Sequence, residues 1–107
     1  MSEPELDRCV LEPLLSIVCK KWTARIIFIL GENNSLRFGE LRRAFDKKIT
    51  AKALSEKLQV LVTERFVTRT EGGDVVREVH YELTPQGACI HRALKQMEGD
   101  LRMAGAI

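Results

Sequence analysis

The sequence predicts a mainly α-helical domain that carries one small β-hairpin, and three observations indicate this fold class. Apolar residues recur at helical spacing through most of the chain, as Leu54, Leu58 and Leu61 do. From Phe66 the period changes to two, and this alternation continues to Leu83. A length of 107 residues suits one hydrophobic core, so residues 1–107 are predicted to form a single domain.

Two helices are predicted at the start of the chain. An amphipathic helix over about residues 9–19 is indicated by apolar residues at helical spacing, which are Leu11, Leu14, Leu15 and Val18. In the stretch KKWTARIIFIL, Thr23 is expected to cap a second helix, with Trp22 packed on Ile27 as a hydrophobic staple. The apolar run that follows predicts a helix buried on most sides, ending at Gly31.

The next two helices are joined by only a few residues, over about residues 38–64. A short helix is indicated by Phe38, Leu41 and Phe45, and Thr50 is expected to cap a longer one. The longer helix has an apolar stripe consisting of Ala51, Leu54, Leu58, Leu61 and Val62. Its opposite side is predicted to be polar and consists of Lys52, Glu56, Gln59 and Thr63.

A β-hairpin is predicted over about residues 66–83, with Gly72 and Gly73 at its turn. Thr84 and Pro85 then form a strong helix start, a capping hydroxyl followed by proline at the first helical position. This last helix, over about residues 85–104, carries a stripe of Ile90, Leu94, Met97 and Leu101.

Charge is distributed unevenly along the chain, although the whole carries a formal net charge of only +2. Residues 20–69 hold twelve Lys or Arg residues against five Asp or Glu residues, a net charge of +7, whereas the two flanks together carry −5. Positive charge gathered in one part of a fold points to a polyanionic partner. From charge alone, solvated helix faces without a partner remain the alternative.

The order of these elements predicts a function in DNA binding. Two closely joined helices followed by a β-hairpin make a winged helix-turn-helix, in which the second helix of the pair enters the major groove. The candidates for reading bases are Thr50, Lys52, Ser55 and Gln59. The candidates for contacting phosphates are Lys21, Arg37, Arg42, Arg43, Lys47, Lys48 and Lys57. Each of these residues taken singly is more typical of an ordinary solvated surface than of a DNA contact.

Four motifs resemble those of the HxlR-type winged helix-turn-helix transcriptional regulators, which are MarR-like. They are K-W-T at 21–23, R-F-x-E-L-R-R-A at 37–44, T-A-K-A-L-S-E-K-L at 50–58, and V-T-R-T followed by V-H-Y-E-L-T-P-Q-G. The resemblance implies a homodimer joined through N- and C-terminal dimerisation helices, at about 9–19 and 85–104, on an inverted-repeat operator. It also implies that the recognition helix is 50–62 and that the wing tip is 71–78.

Two further residues acquire roles from this resemblance. Arg77 stands in the wing where the family usually has Pro-Pro-Arg, so it is the wing arginine expected to reach DNA. Cys9 occupies the position of an N-terminal cysteine that senses electrophiles or oxidants in some members. A helix start beside Arg8 would favour its reactive thiolate form, while simple burial of Cys9 is the alternative.

Several function classes are disfavoured by the sequence. A thiol redox enzyme lacks support because no Cys-x-x-Cys motif is present, and a metal site of Cys89, His91 and His80 would need two side chains on different helix faces. Neither catalysis nor a cofactor is therefore expected. The acidic start lacks the features of a signal peptide and no apolar run approaches the ~20 residues of a membrane span, so a cytoplasmic protein without membrane contact is expected.

The expected partners are double-stranded DNA, a second copy of the chain, and an unknown small-molecule or oxidant effector. The main alternative is a winged-helix adapter that binds proteins without specific DNA binding. Glu56 on the recognition face and Glu78 in the wing favour this alternative, because carboxylates repel phosphate.

Overall fold

The computed structural model describes residues 15, 19–20, 22–73 and 78–106. The elements in chain order are α1 (Thr23–Asn33), β1 (Ser35–Arg37), α2 (Phe38–Ala44), α3 (Ala51–Thr63), β2 (Val67–Gly72), β3 (Glu78–Leu83) and α4 (Pro85–Met103). Within the described residues, four helices therefore accompany a small antiparallel sheet, and the mainly α-helical fold class is confirmed. The helix expected over about residues 9–19 falls almost entirely outside the described residues.

The sheet has three strands in the order β1-β3-β2, one more than the sequence indicated. The hairpin forms, with Val67 opposite Leu83, but Gly72, which was predicted at the turn, is the last residue of β2 and pairs with Glu78. The additional strand β1 pairs with the other edge of β3. The sequence does not indicate this strand, because three residues are too few to display a period of two and the strand exists only through its pairing with β3.

The core is built by α1, α2 and α3 against the start of β2. Its fully buried members come from every one of these elements and include Ile26, Ile27, Leu30, Leu41, Phe45, Leu54, Leu58, Leu61 and Val67. The apolar stripe of α3 is thus confirmed at its three leucines, whereas Ala51 is exposed and Val62 is half-buried. As expected, α1 is the most deeply covered helix near the centre of the domain.

Three expectations about α1 are wrong. Trp22, not Thr23, occupies the cap position, with a left-handed φ of 74°, and its side chain forms no capping hydrogen bond. Thr23 is the first helical residue and is buried, so the one-residue shift removes the spacing that a staple between Trp22 and Ile27 requires. The Trp22 ring instead packs edge-on against Phe45, with centroids 5.4 Å apart. The helix also continues past Gly31 to Asn33, because Gly31 packs against α4 instead of ending α1.

The start of α4 is confirmed and is tied to the end of α3. The hydroxyl oxygen of Thr84 accepts a hydrogen bond from the Gly87 amide at 3.0 Å, and the hydroxyl donates to the Arg65 carbonyl at 2.6 Å. The Thr84 amide donates to the Phe66 carbonyl at 3.1 Å. Within the described residues, no helix combines the length and apolar character that crossing a bilayer requires.

Candidate nucleic-acid interface

Helix α3 presents a continuous polar face to solvent. Its first turn is closed by Thr50, whose side-chain oxygen accepts a hydrogen bond from the Ala53 amide at 3.0 Å. Because its three leucines are buried at spacings of four and three residues, the opposite side of the helix must face outward. That side consists of Lys52, Ser55, Glu56, Gln59 and Thr63, all exposed. The helix can therefore offer donors and acceptors to a partner without losing core packing.

The four base-reading candidates fall into two groups. Lys52, Ser55 and Gln59 lie together on the exposed face of α3, where their polar ends are accessible. Thr50 lies before the first helical residue, and its hydroxyl oxygen is engaged in capping the helix. Its observed role is structural, since a capping side chain is held close to the backbone of the first turn.

The cationic candidates beside α3 also differ in their surroundings. Arg43, Lys47 and Lys48 are exposed in α2 and in the turn that follows it, and Lys57 is half-buried. The half-buried Arg42 donates from Nε to the Ile49 carbonyl at 3.0 Å, a bond that ties α2 to the residues before α3. The turn itself is tight because Asp46 and Lys47 both adopt left-handed backbone conformations, with φ of 55° and 58°.

Arg37 is joined to the wing by an ion pair. Its Nη2 atom lies 2.9 Å from Oε2 of Glu78, and Oε1 of Glu78 lies 3.3 Å from the ring of His80. The hydrogen bond with His80, followed by the charge of Arg37, holds the pKa of the Glu78 carboxyl below its usual range. The Glu78 carboxylate, which in the sequence favoured an adapter, is thus paired with Arg37 and His80. Glu56 remains exposed on α3.

A groove of about 350 Å³ runs between α3 and the hairpin, and it contains a cation that the sequence did not indicate. Arg69 of β2 lines this groove together with Ser55, Gln59 and Tyr81. Its guanidinium lies 2.6 Å from Glu71, and hydrogen bonds with Glu71 and then Tyr81 raise the pKa of Arg69 above its ordinary value. The alternation of the strand, which places Arg69 on the same face as buried Val67, was the available signal.

Three site predictions concern residues outside the described part of the chain, namely Lys21, Arg77 and Cys9. The two described histidines bind separate carboxylates, His80 beside Glu78 and His91 beside Glu32. Among the described residues, no cluster of three or more His, Cys, Asp or Glu side chains has a geometry that could hold a metal ion.

Comparison with known proteins gives concordant matches over most of the chain. A family model described as HxlR-like helix-turn-helix matches residues 17–103. The chain is 35% identical over 86 residues to the HTH-type transcriptional regulator YdzF of Bacillus subtilis, covering 80% of this chain and 78% of that protein.

Solved structures show the same similarity. The reduced form of the transcriptional regulator YodB from Bacillus subtilis has a TM-score of 0.75 and 25% identity, covering 94% of this chain and 92% of that one. A quinone-bound form of YodB also matches, with a TM-score of 0.71. The redox regulator HypR in its oxidised form has a TM-score of 0.76 and 26% identity, covering 89% of this chain and 96% of that one.

Proposed function

Because the chain belongs to the HxlR-like helix-turn-helix family of transcriptional regulators and is not an enzyme, we propose that it binds an inverted-repeat operator as a homodimer. In this proposal each protomer inserts α3 into the major groove of one half-site, and the β2-β3 hairpin lies beside it as the wing. The observation that carries the proposal is the exposed polar face of α3, with Arg69 of β2 across the adjoining groove and exposed cations in α2 and in the turn that leads into α3.

Base reading is assigned to the exposed face of α3. The Lys52 ammonium suits the O6 and N7 acceptors of guanine, and the Gln59 amide suits the N6 and N7 atoms of adenine. Ser55 lies between them on the same face and can donate to or accept from either base. Glu56 on this face would repel a phosphate, but a carboxylate can accept a hydrogen bond from the N4 amino group of cytosine.

Phosphate contacts are assigned to the cations around α3. Arg43, Lys47 and Lys48 are exposed in α2 and in the turn that leads into α3, and Arg69 lines the groove between α3 and the hairpin. Such contacts set the register and orientation of the protein on the duplex without reading its sequence. The phosphate candidates that complete the proposal are Lys21, Arg37, Arg42, Lys57 and, in the wing, Arg77.

The homodimer is supported by an open apolar row on α4. Met97 and Leu101, four residues apart on one face of the helix, expose 56% and 44% of their surface. Methionine and leucine side chains that recur along one helix and remain accessible are typical of a surface that a partner covers. A second copy of the chain, contributing the same row and the helix expected over about residues 9–19, fits the two-fold symmetry of an inverted repeat.

The proposal also assigns the regulation of DNA binding to the thiol of Cys9. Its support is the similarity to HypR, a redox regulator, and to YodB, which has been solved with a bound quinone. Modification of Cys9 would change the distance between the two recognition helices, and a dimer out of register with the DNA loses one of its two sets of contacts. A regulator of this kind would act in the cytoplasm, where glutathione and thioredoxin keep cysteines reduced in the resting state.

The proposal is tested by a DNA-binding titration of the reduced protein. A binding site is selected from a randomised DNA pool, and its affinity is then measured against excess random DNA at several salt concentrations. The expected result is binding that survives the competitor, with a logarithmic salt slope of about −0.9 for each phosphate contact. Equal affinity for selected and random DNA would refute sequence-specific regulation. Repetition after mild oxidation, with Cys9→Ser as the control, tests the thiol.

A protein-binding adapter is the second candidate, and the surface at the C-terminal half of α3 favours it. Here Val60 is 41% exposed and lies beside Glu56 and Glu64 in a shallow apolar depression. This acidic and apolar end of the helix suits a protein surface better than a phosphate backbone. An adapter would show no salt-dependent affinity for DNA, so the same titration separates the two functions.

A further inference from the structure

Helices α1 and α4 pack against each other, and their backbones approach closely at Gly31. A Cβ atom at position 31 would lie 2.2 Å from the Cγ and Cδ2 atoms of His91, far inside any normal contact. The imidazole ring of His91 therefore rests directly on the backbone of α1, and glycine is required there because any side chain would displace the ring.

The ring is also held by polar contacts from its sides. Nε2 of His91 lies 2.7 Å from Oε2 of Glu32, and Nζ of Lys95 lies 2.9 Å from the same oxygen. Phe28 packs on the ring from the preceding turn of α1, with centroids 5.5 Å apart. Only 15% of the His91 side chain is exposed, so the ring occupies one position between the two helices.

This contact joins the two functional parts of the molecule. α1 is embedded in the core that also holds α2 and α3, so it moves with the recognition helix. α4 carries the open apolar row assigned to the dimer interface. The angle between α1 and α4 consequently determines where the recognition helix lies relative to the partner protomer.

The first turn of α4 already provides one fixed point, through Thr84 and Gly87 against Arg65 and Phe66. A helix held at one end can still swing about that end. α4 has 19 residues, hence a length of about 28 Å, and a swing of about 5° would move its far end by about 2 Å. That displacement is a large part of one base-pair step of about 3.4 Å. The contact at His91 supplies the second fixed point.

We propose that His91 is a positioning residue: wedged on Gly31 and bonded to Glu32, it fixes the angle between α1 and α4 and thereby the half-site spacing that the dimer accepts. This inference rests on the proposed dimeric operator binding. His91 itself contacts no DNA in this arrangement, since it lies between α1 and α4 and does not belong to the face of α3.

The test measures the dependence of affinity on half-site spacing. The operator selected by the wild-type protein is remade with its half-sites moved apart or together by one and two base pairs, and a single half-site serves as a further probe. His91→Ala removes the imidazole ring, and Gly31→Ala displaces this ring while favouring the helical conformation of α1. Gln96→Ala is the matched control, because among the described residues Gln96 bonds only to Asp100, within α4 itself.

The wild-type protein and the control variant are expected to show one sharp spacing optimum. His91→Ala and Gly31→Ala are expected to flatten it, with a loss of about 2- to 30-fold on the best-spaced operator, the range of coupling through packed side chains. Affinity for a single half-site should change by less than about twofold, because α3 is untouched. If Gly31→Ala does not fold, the result for His91→Ala decides.

The outcomes separate this inference from the proposal on which it rests. A sharp optimum in the wild type that His91→Ala leaves unchanged, even with a lower melting temperature, would overturn the positioning role alone. A wild-type protein that binds a single half-site as tightly as the whole operator would refute the dimeric operator mechanism, and the positioning role with it.

Discussion

The same substitution, Gly→Ala, is expected to have opposite effects at two positions of α4. At position 87 a Cβ atom would lie 2.2 Å from the Phe66 carbonyl oxygen and 3.1 Å from a methyl group of Leu83. At position 99 nothing lies within 4 Å of the added atom. Neither glycine has a positive φ, so the surrounding space is the main difference between the two sites.

The magnitude follows from two opposing contributions. Alanine in place of glycine stabilises a helix by about 0.5–1 kcal/mol, and this gain applies to both variants. Overpacking costs about 1–3 kcal/mol, and the cost should be high at position 87 because the Phe66 carbonyl is held by the Thr84 amide at 3.1 Å. Gly87→Ala should therefore be less stable than Gly99→Ala by about 1–3 kcal/mol.

Urea unfolding followed by circular dichroism measures this difference. All proteins are compared at one concentration, because the stability of a dimer depends on protomer concentration. For a domain of this size, 1 kcal/mol corresponds to about 4–8 °C in thermal midpoint, so a parallel melting experiment gives an independent check. If Gly87→Ala is as stable as Gly99→Ala, the close packing of α4 on Phe66 does not exist as described.

Three further predictions concern single side chains. Thr50→Ala should lower the free energy of unfolding by about 0.5–2 kcal/mol, whereas Thr50→Ser should lower it much less, because the serine hydroxyl can still cap α3. A loss of operator specificity in a stable Thr50→Ser variant would instead indicate that Thr50 reads bases. The hydrogen bonds of Lys95 and then His91 hold the pKa of Glu32 below its usual value of 4.5. The ionised Glu32 carboxylate therefore stabilises the fold fully above pH 4.5, and this stabilisation is lost as the pH falls through the lowered pKa. Unfolding measured from pH 7 down to pH 3 should show Glu32→Gln less stable than the wild type at neutral pH, with a difference that shrinks as the pH falls. A constant difference would contradict the ion pair. Arg69→Ala should weaken binding to operator and random DNA alike and reduce the salt slope by about 0.9, and an unchanged slope would remove Arg69 from the phosphate contacts.

The features that the sequence predicted well are those determined by neighbouring residues. The cap at Thr50 and the three leucines of α3 lie within one helix, so their spacing was sufficient to predict which face is buried. The start of α4 at Thr84 and Pro85 was predicted for the same reason, since capping is a local interaction.

The features that escaped prediction depend on residues far apart in the chain. β1 is a strand only because β3 pairs with it, and Gly31 lies within α1 because His91, sixty residues later, packs on its backbone. Arg69 joins the candidate interface because β2 packs beside α3, and its neighbours Ser55 and Gln59 belong to another element. A one-dimensional pattern contains the alternation of the strand but not the element that it packs against.

The central claim is that α3 reads bases while the cations around it bind phosphates, and one comparison of variants tests it most directly. The affinities of Lys52→Ala/Gln59→Ala and of Lys48→Ala are measured on the selected operator and on random DNA at one salt concentration. The account predicts that the double variant loses mainly its preference for the operator, by about 1–3 kcal/mol for each base contact, while Lys48→Ala weakens both affinities equally. An unchanged operator preference in a folded double variant would contradict the account.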